Sequence, residues 1–255
     1  MNSGSGWSLQ TLLPIKQAIL IAYMTGILWL QRNPISLVFT AISPFSLLFV
    51  LFVVSHGQFV IFAVAGSLVM ALVGYGLSLG QDISFYKTEY KIQDIFVSSQ
   101  VSPLTYMLGL ALSELLFGLP ALLVLAGLVV YFGAPLAAIP VLIATILLIW
   151  GSMSAMGFFL SSHMMHMRNA TQVISFVNVI VAVLPPVFYP ISAIPDILKP
   201  LAYAVPTTHA SLTIQQLMGK PTPSEWSPFL GFIVQIAYLI GFILLAKTRA
   251  IWRES

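Results

Sequence analysis

Six stretches of this chain, 34–54, 59–81, 103–131, 138–161, 172–190 and 226–246, hold a single formal charge between them, Glu114. Each is long enough to cross a hydrocarbon core about 30 Å thick as a helix, which takes about 20 residues. Lipid offers a backbone no hydrogen-bond partners, so such runs must be helical. The composition agrees, with 59% hydrophobic and only 7% charged residues, against roughly 25% charged in soluble domains. The expected fold is all-α: a single transmembrane domain over 1–255, a polytopic membrane bundle of six transmembrane helices.

Ten basic residues spread over 255 form no basic patch, which argues against a nucleic-acid partner despite the net charge of +3. Their distribution fits the excess of Lys and Arg that marks cytoplasmic loops. Lys16, Arg32, Lys87, Lys91, Arg168, Lys247, Arg249 and Arg253 fall on one side of the six stretches, and only Lys199 and Lys220 on the other. An even number of spans with the basic side inward puts both termini in the cytoplasm of a plasma-membrane protein. The short connections after the first and third stretches leave no room for an extracytoplasmic domain. Met1 to Gly6 lacks the basic start of a secretory signal.

Three regions read as membrane-associated without crossing. Residues 17–30 are apolar but short, so 7–32 is expected to be a cytoplasmic interfacial helix, with a seventh span as the alternative. Residues 82–102 are the longest cytoplasmic loop, mixing charges with aromatics; Ile92, Ile95 and Phe96 share the i, i+3, i+4 spacing of one helical face. Residues 190–225 are punctuated by Pro190, Pro195, Pro200, Pro206, Pro221 and Pro223. Between them, 196–205 and 208–218 are helix-length but too short to cross. Thr207 or Thr208 is a candidate N-cap and Gly219 a terminator. A re-entrant helical hairpin dipping from the extracytoplasmic side fits these limits.

Few residues offer chemistry. Without cysteine there is no disulfide, thiolate metal site or Cys nucleophile. His163-Met164-Met165-His166-Met167 combines soft ligands that suit copper(I), yet it sits in a turn beside Arg168, and no metal or other cofactor is expected. No Ser/His/Asp arrangement, H-E-x-x-H or paired carboxylates is visible in the sequence, which argues against an enzyme. Glu114 lies about eleven residues into the third stretch, where an ionised group costs at least about 2.5–3.5 kcal/mol. It reads either as a substrate-path or proton-coupled residue, or as an interhelical contact. Gly76 and Gly80 form a G-x-x-x-G, which serves close packing inside the bundle or a dimer seam. Gly109/Ser113 and Gly151/Ala155 repeat the spacing. Trp29, Tyr189, Tyr203, Trp226 and Trp252 fall at span ends, as in an interfacial aromatic belt.

Gln31-Arg32-Asn33-Pro34 precedes the first stretch, and Phe96-Val97-Ser98-Ser99-Gln100-Val101-Ser102-Pro103-Leu104-Thr105-Tyr106 leads into the third. Near the C-terminus run Phe188-Tyr189-Pro190-Ile191, Ile194-Pro195, Leu198 to Ala202, Val205-Pro206-Thr207-Thr208 and Leu217-Met218-Gly219. In this order the pattern resembles the membrane subunits of ABC-2 type transporters, over nearly the whole chain. The resemblance implies a permease subunit of an ATP-driven ABC transporter, an exporter, paired with a second permease copy (homo- or heterodimer). A separate cytoplasmic ATP-binding subunit would drive it, docking on Ile92, Ile95, Phe96, Val97 and Ser98. Pro190, Pro195, Pro206 and Gly219 would shape the hairpin. The sequence independently lacks G-x-x-x-x-G-K-[ST]; Gly219-Lys220-Pro221-Thr222 has neither the leading Gly nor a Ser or Thr after Lys. Few intramembrane charges predict an apolar path for a lipid-like substrate. The alternatives are an ion-coupled secondary transporter using Glu114, or a non-transporting membrane scaffold.

Overall fold

The structure is a computed structural model that describes residues 6–89, 95, 96, 98, 99, 101–164, 166–224 and 226–250, with side chains from residue 14 onward. Of the residues named above, Met1, Lys91, Ile92, Val97, Gln100, Met165, Trp252 and Arg253 lie outside it. The described residues form helices and turns, with no strand among them. Helix α1 spans Gly6–Ala22, followed by a π-helical turn Tyr23–Ile27 and α2, Leu28–Arg32. Then come α3 (Ser36–Val54), α4 (Val60–Thr88), α5 (Pro103–Tyr131), α6 (Ile139–Ser162), α7 (Met167–Ala182), α8 (Lys199–Tyr203), α9 (Pro206–Leu217) and α10 (Pro228–Arg249).

Five of these, α3, α4, α5, α6 with its leading turn, and α10, are long and apolar enough to cross a membrane. Local chemistry starts them. Ser102 accepts a hydrogen bond from the Thr105 amide at 3.1 Å and Pro103 follows it; Ser227 accepts from Leu230 at 3.2 Å and Pro228 follows it. A hydroxyl at the N-cap and proline at the first helical position satisfy or remove the orphan donors of a first turn.

The expected span 172–190 differs in kind. Its helix is α7, 16 residues long, about 24 Å at 1.5 Å per residue, and 183–190 is not helical. Pro185-Pro186 is the cause: residue 184 is driven out of the α region and no amide is available at 185. Val181, four residues before Pro185, loses its acceptor role within the helix. Thr207 replaces it, donating its hydroxyl to the Val181 carbonyl at 2.6 Å, while Ser211 donates to the Val187 carbonyl at 3.0 Å. Thr207 and Thr208 therefore do not cap α9, as their position predicts. Val205 is the N-cap residue, and Thr208 donates to the Ala202 carbonyl at 2.6 Å. The hydroxyls of α9 satisfy backbone broken by proline elsewhere.

Pro190 and Pro195 each precede a single 3-10 turn, Ile191–Ala193 and Asp196–Leu198, and Pro206 opens α9. Gly219, at φ +80°, ends α9 in a Schellman motif: its amide bonds Gln216 at 2.9 Å and the Lys220 amide bonds Gln215 at 3.0 Å. Beside α9, Trp226 donates its indole N–H to His209 Nδ1 at 3.0 Å, and His209 Nε2 lies 2.8 Å from the Tyr203 carbonyl. That arrangement needs a neutral imidazole with its proton on Nε2, and burial pushes the His209 pKa below its ordinary value. A histidine depressed in the folded state contributes its full stability above the unfolded value of about 6.5 and loses it as pH falls through the lower folded value. Acidification through that window should loosen the contact of α9 with Trp226, read as a change in Trp226 fluorescence that the Trp226→Phe variant lacks.

Helix α4 is the axis of the bundle, with Leu68, Leu72, Leu77 and Leu79 fully buried. The G-x-x-x-G resolves as packing inside the chain. A Cβ on Gly76 would stand 2.5 Å from Met153 Cβ, and one on Gly80 would stand 2.7 Å from the Gly157 carbonyl oxygen, both on α6. Gly109 receives Ile21 and the Ala18 carbonyl in the same way, and Gly26 lies against Ser113. The N-terminal helix thus tracks the first half of α5, burying Ala18, Ile21 and Ala22 while Ile15, Ile19, Leu20 and Met24 face outward. It is not among the helices that meet the length for crossing.

Candidate translocation groove and carboxyl pair

Burial is uneven between neighbouring spans. In its most apolar window α3 has 6% of residues buried, against 78% for α4. On α3, Ser36, Thr40 and Ser43 follow one face (i, i+4, i+7), and on α7 Arg168, Thr171, Ser175 and Asn178 do the same. Between α3, α4 and α7 lies a groove of about 300 Å³ lined by Thr40, Ser43, Gly74, Tyr75, Ser78, Gln81, Ser175 and Asn178, with Pro44, Met70, Ala71 and Ile174. Its lining is rich in uncharged polar groups, where the sequence predicts apolar walls. One-residue-at-a-time hydropathy hides this, because the five hydroxyls are spread over three helices.

Tyr75 shows how the groove is braced. Pro44 leaves the Thr40 carbonyl, four residues earlier, without its helical donor. The Tyr75 hydroxyl donates to that carbonyl at 3.1 Å, and its ring lies where a Cβ on Gly118 would intrude, at 2.3 Å. A prolyl break in α3, a tyrosine on α4 and a glycine on α5 form one joint.

Beside the groove is a second cavity of about 440 Å³, lined by Thr25, Trp29, Ser36, Thr40, Asp82, Phe85, Tyr86, Glu114 and Phe117. Glu114, 8% exposed, accepts a hydrogen bond from Ser78 and meets the carboxyl of Asp82, one turn further along α4, in this cavity. Two expectations change here. Residues 82–88, read as the start of a loop, are helical, because α4 continues to Thr88. Paired carboxyls exist, brought together from positions 32 apart. Glu114 has interhelical partners, and through Ser78, which also lines the groove, it touches the candidate path.

The segment 89–102, expected to couple to a motor, is described in part. Ile95 is exposed, 66% of its surface. Phe96, in contrast, stacks on Tyr106 with ring centroids 4.9 Å apart, and Ser98 donates to the Ile95 carbonyl at 2.9 Å. Phe96 therefore anchors the segment to α5, and Ile95 is its outward residue. At the His-Met cluster, His163 Nδ1 lies 2.9 Å from the Phe159 carbonyl and His166 precedes α7. No group of three His, Cys, Asp or Glu with metal-binding geometry occurs among the described residues.

The matching family model is that of the ABC-2 type transporter, which covers residues 6–218. The chain belongs to the ABC-2 type transporter family. It is a multi-pass membrane protein and a transporter permease component, not itself catalytic. The match takes in the N-terminal helix, the groove, the carboxyl pair and the chain through α9 to Met218. No curated protein matches the chain significantly.

Proposed function

We propose that this chain is the permease subunit of an ATP-driven exporter, working as a dimer with a separate cytoplasmic ATP-binding subunit. The observation that carries the reading is the polar groove on an exposed face. Its hydroxyls and amides lie between α3 and α7, at a surface that lipid would leave unsatisfied. A second permease copy facing the first closes that groove into a path with uncharged polar walls. Six crossings follow if α7 and the bent 183–190 together make the fifth, with 190–225 re-entrant from the extracytoplasmic side. Both termini and the segment 89–102 then face the cytoplasm. Closure of the motor would push that segment, and the spans of two protomers would rock around the central path.

Ile95 is the residue through which the motor is read. Ile95→Asp is expected to leave the permease inserted and folded while the ATP-hydrolysing subunit no longer co-purifies with it. An exposed side chain at a protein interface loses its contact when charged, without a cost to the bundle. Retention of the subunit by the variant would remove Ile95 from the docking surface. Phe96 is unsuited to the same test, because its ring is part of the packing on Tyr106.

A further inference from the structure

Among the described residues, only two basic side chains, Lys199 and Lys220, fall at the end of the bundle that carries the turns 55–59 and 132–138, and both line one cleft of about 580 Å³. Ser192, Gln215, Thr222 and Ser224 line it as well. Lys220 is placed by structure on both sides of it. The Schellman turn fixes its backbone to Gln215 at 3.0 Å, and its ammonium sits 5.6 Å from the centre of the Phe62 ring at the start of α4. Lys199 is 28% exposed and meets Asp196 at 2.6 Å. Asp196, though, is 93% exposed at the rim. An ion pair of that kind is weak in water, so an arriving anion exchanges with it readily.

On the other side of the same segment the chemistry reverses. Ile180, Leu184, Tyr189, Ile194, Leu198 and Leu201 line an apolar groove of about 590 Å³. Along 189–199 the two surfaces alternate: Ser192 and Lys199 serve the cleft, Ile194 and Leu198 the groove. A cationic, hydroxyl-rich cleft adjoining an apolar groove matches a molecule with an anionic head and a hydrocarbon tail.

We propose that this rim binds a membrane amphiphile, its anionic phosphate headgroup held by Lys199 and Lys220 and its chain lying in the groove beneath Leu198 and Leu201. The two ammonium groups donate charge-assisted hydrogen bonds to phosphate oxygens, and Ser192 and Thr222 complete the coordination with neutral donors. The chain adds apolar burial that a free phosphate cannot. Such a site gives the transporter a recognition point for anionic lipids at the end opposite the coupling segment. The inference needs only the membrane location, not the ATPase or the direction of transport, so failure of either reading leaves the other intact.

The test uses the full purified chain and native mass spectrometry with three probes: dioleoylphosphatidylglycerol, dioleoylphosphatidylcholine and glycerol phosphate. Phosphatidylglycerol is expected to be retained about tenfold over phosphatidylcholine, the scale of one charge-assisted contact. Lys220→Gln should erase that preference, Lys220→Arg should keep it, and Leu201→Ser should lower retention of both lipids. Lys199→Gln provides a second loss-of-charge variant with the same expectation. Equal retention of the two lipids by the wild-type chain overturns the proposal. So does displacement of phosphatidylglycerol by an equal concentration of glycerol phosphate, which would make the cleft a site for a free anion.

Discussion

Gly80→Leu is expected to yield no folded protein. At Gly80 the facing atom is the Gly157 carbonyl oxygen, 2.7 Å from where a Cβ would stand, with Ile174 Cδ1 at 2.5 Å. A flexible side chain moves aside at small cost, but a backbone carbonyl inside α6 does not. Gly157 reciprocates, its own Cβ position lying 3.1 Å from the Leu77 carbonyl, so the two helices meet backbone to backbone. Inserting a leucine there forces α4 and α6 apart along their buried backbone contact, at about 3 kcal/mol or more. Purified from membranes, the variant should elute in the void volume on size exclusion or fail to accumulate. Gly127→Leu is the control, since no atom lies within 4 Å of its Cβ position, and it should behave as wild type.

The carboxyl pair predicts the second large effect. Asp82→Ala strands Glu114 with Ser78 alone, and Glu114→Ala strands Asp82 beside Tyr86. Each single change should destabilise by about 1–3 kcal/mol, because a buried polar partner is left unsatisfied. The double change should cost much less than the sum, with a coupling of about 1–3 kcal/mol in a double-mutant cycle read by thermal unfolding. Additive costs would mean that the two carboxyls do not act as a unit. Glu114→Gln keeps a neutral donor and acceptor and should preserve both fold and transport; a transporter that coupled ions through Glu114 would lose transport instead.

Much of this was legible in the sequence because lipid leaves so few options. The four runs that become α3, α4, α5 and α6 are continuous, lack charges apart from Glu114, and are bounded by Pro, Gly or polar turns. What hydropathy missed lies where a helix ignores it. Charge marks the end of the second run at Gln81, yet nothing in Asp82–Thr88 breaks a helix, and α4 carries Asp82 inward to Glu114. Conversely, 172–190 is apolar enough to cross, but Pro185-Pro186 stops its helix at Ala182. Pairings such as Tyr75 with the Thr40 carbonyl, or Thr207 with the Val181 carbonyl, depend on helices meeting in space. In both, a proline four residues on frees the acceptor. A proline inside an apolar run is therefore a legible sign that a hydroxyl from elsewhere must come to it.

The G-x-x-x-G and small-xxx-small spacings were legible as close approach but silent about the partner. The structure gives Gly76 and Gly80 to α6, Gly109 to α1 and Gly151 to Leu239 of α10. All four are spent inside one chain. The proposed dimer would then use the remaining faces, among them the polar stripes of α3 and α7.

Whether this permease works under an ATP-hydrolysing partner is read most directly from ATP hydrolysis by the complex purified from native membranes on the wild-type chain. A co-purifying subunit that hydrolyses ATP, and is lost from the Ile95→Asp preparation, is the predicted result. Transport activity intact in a preparation that contains no ATP-hydrolysing subunit would contradict it.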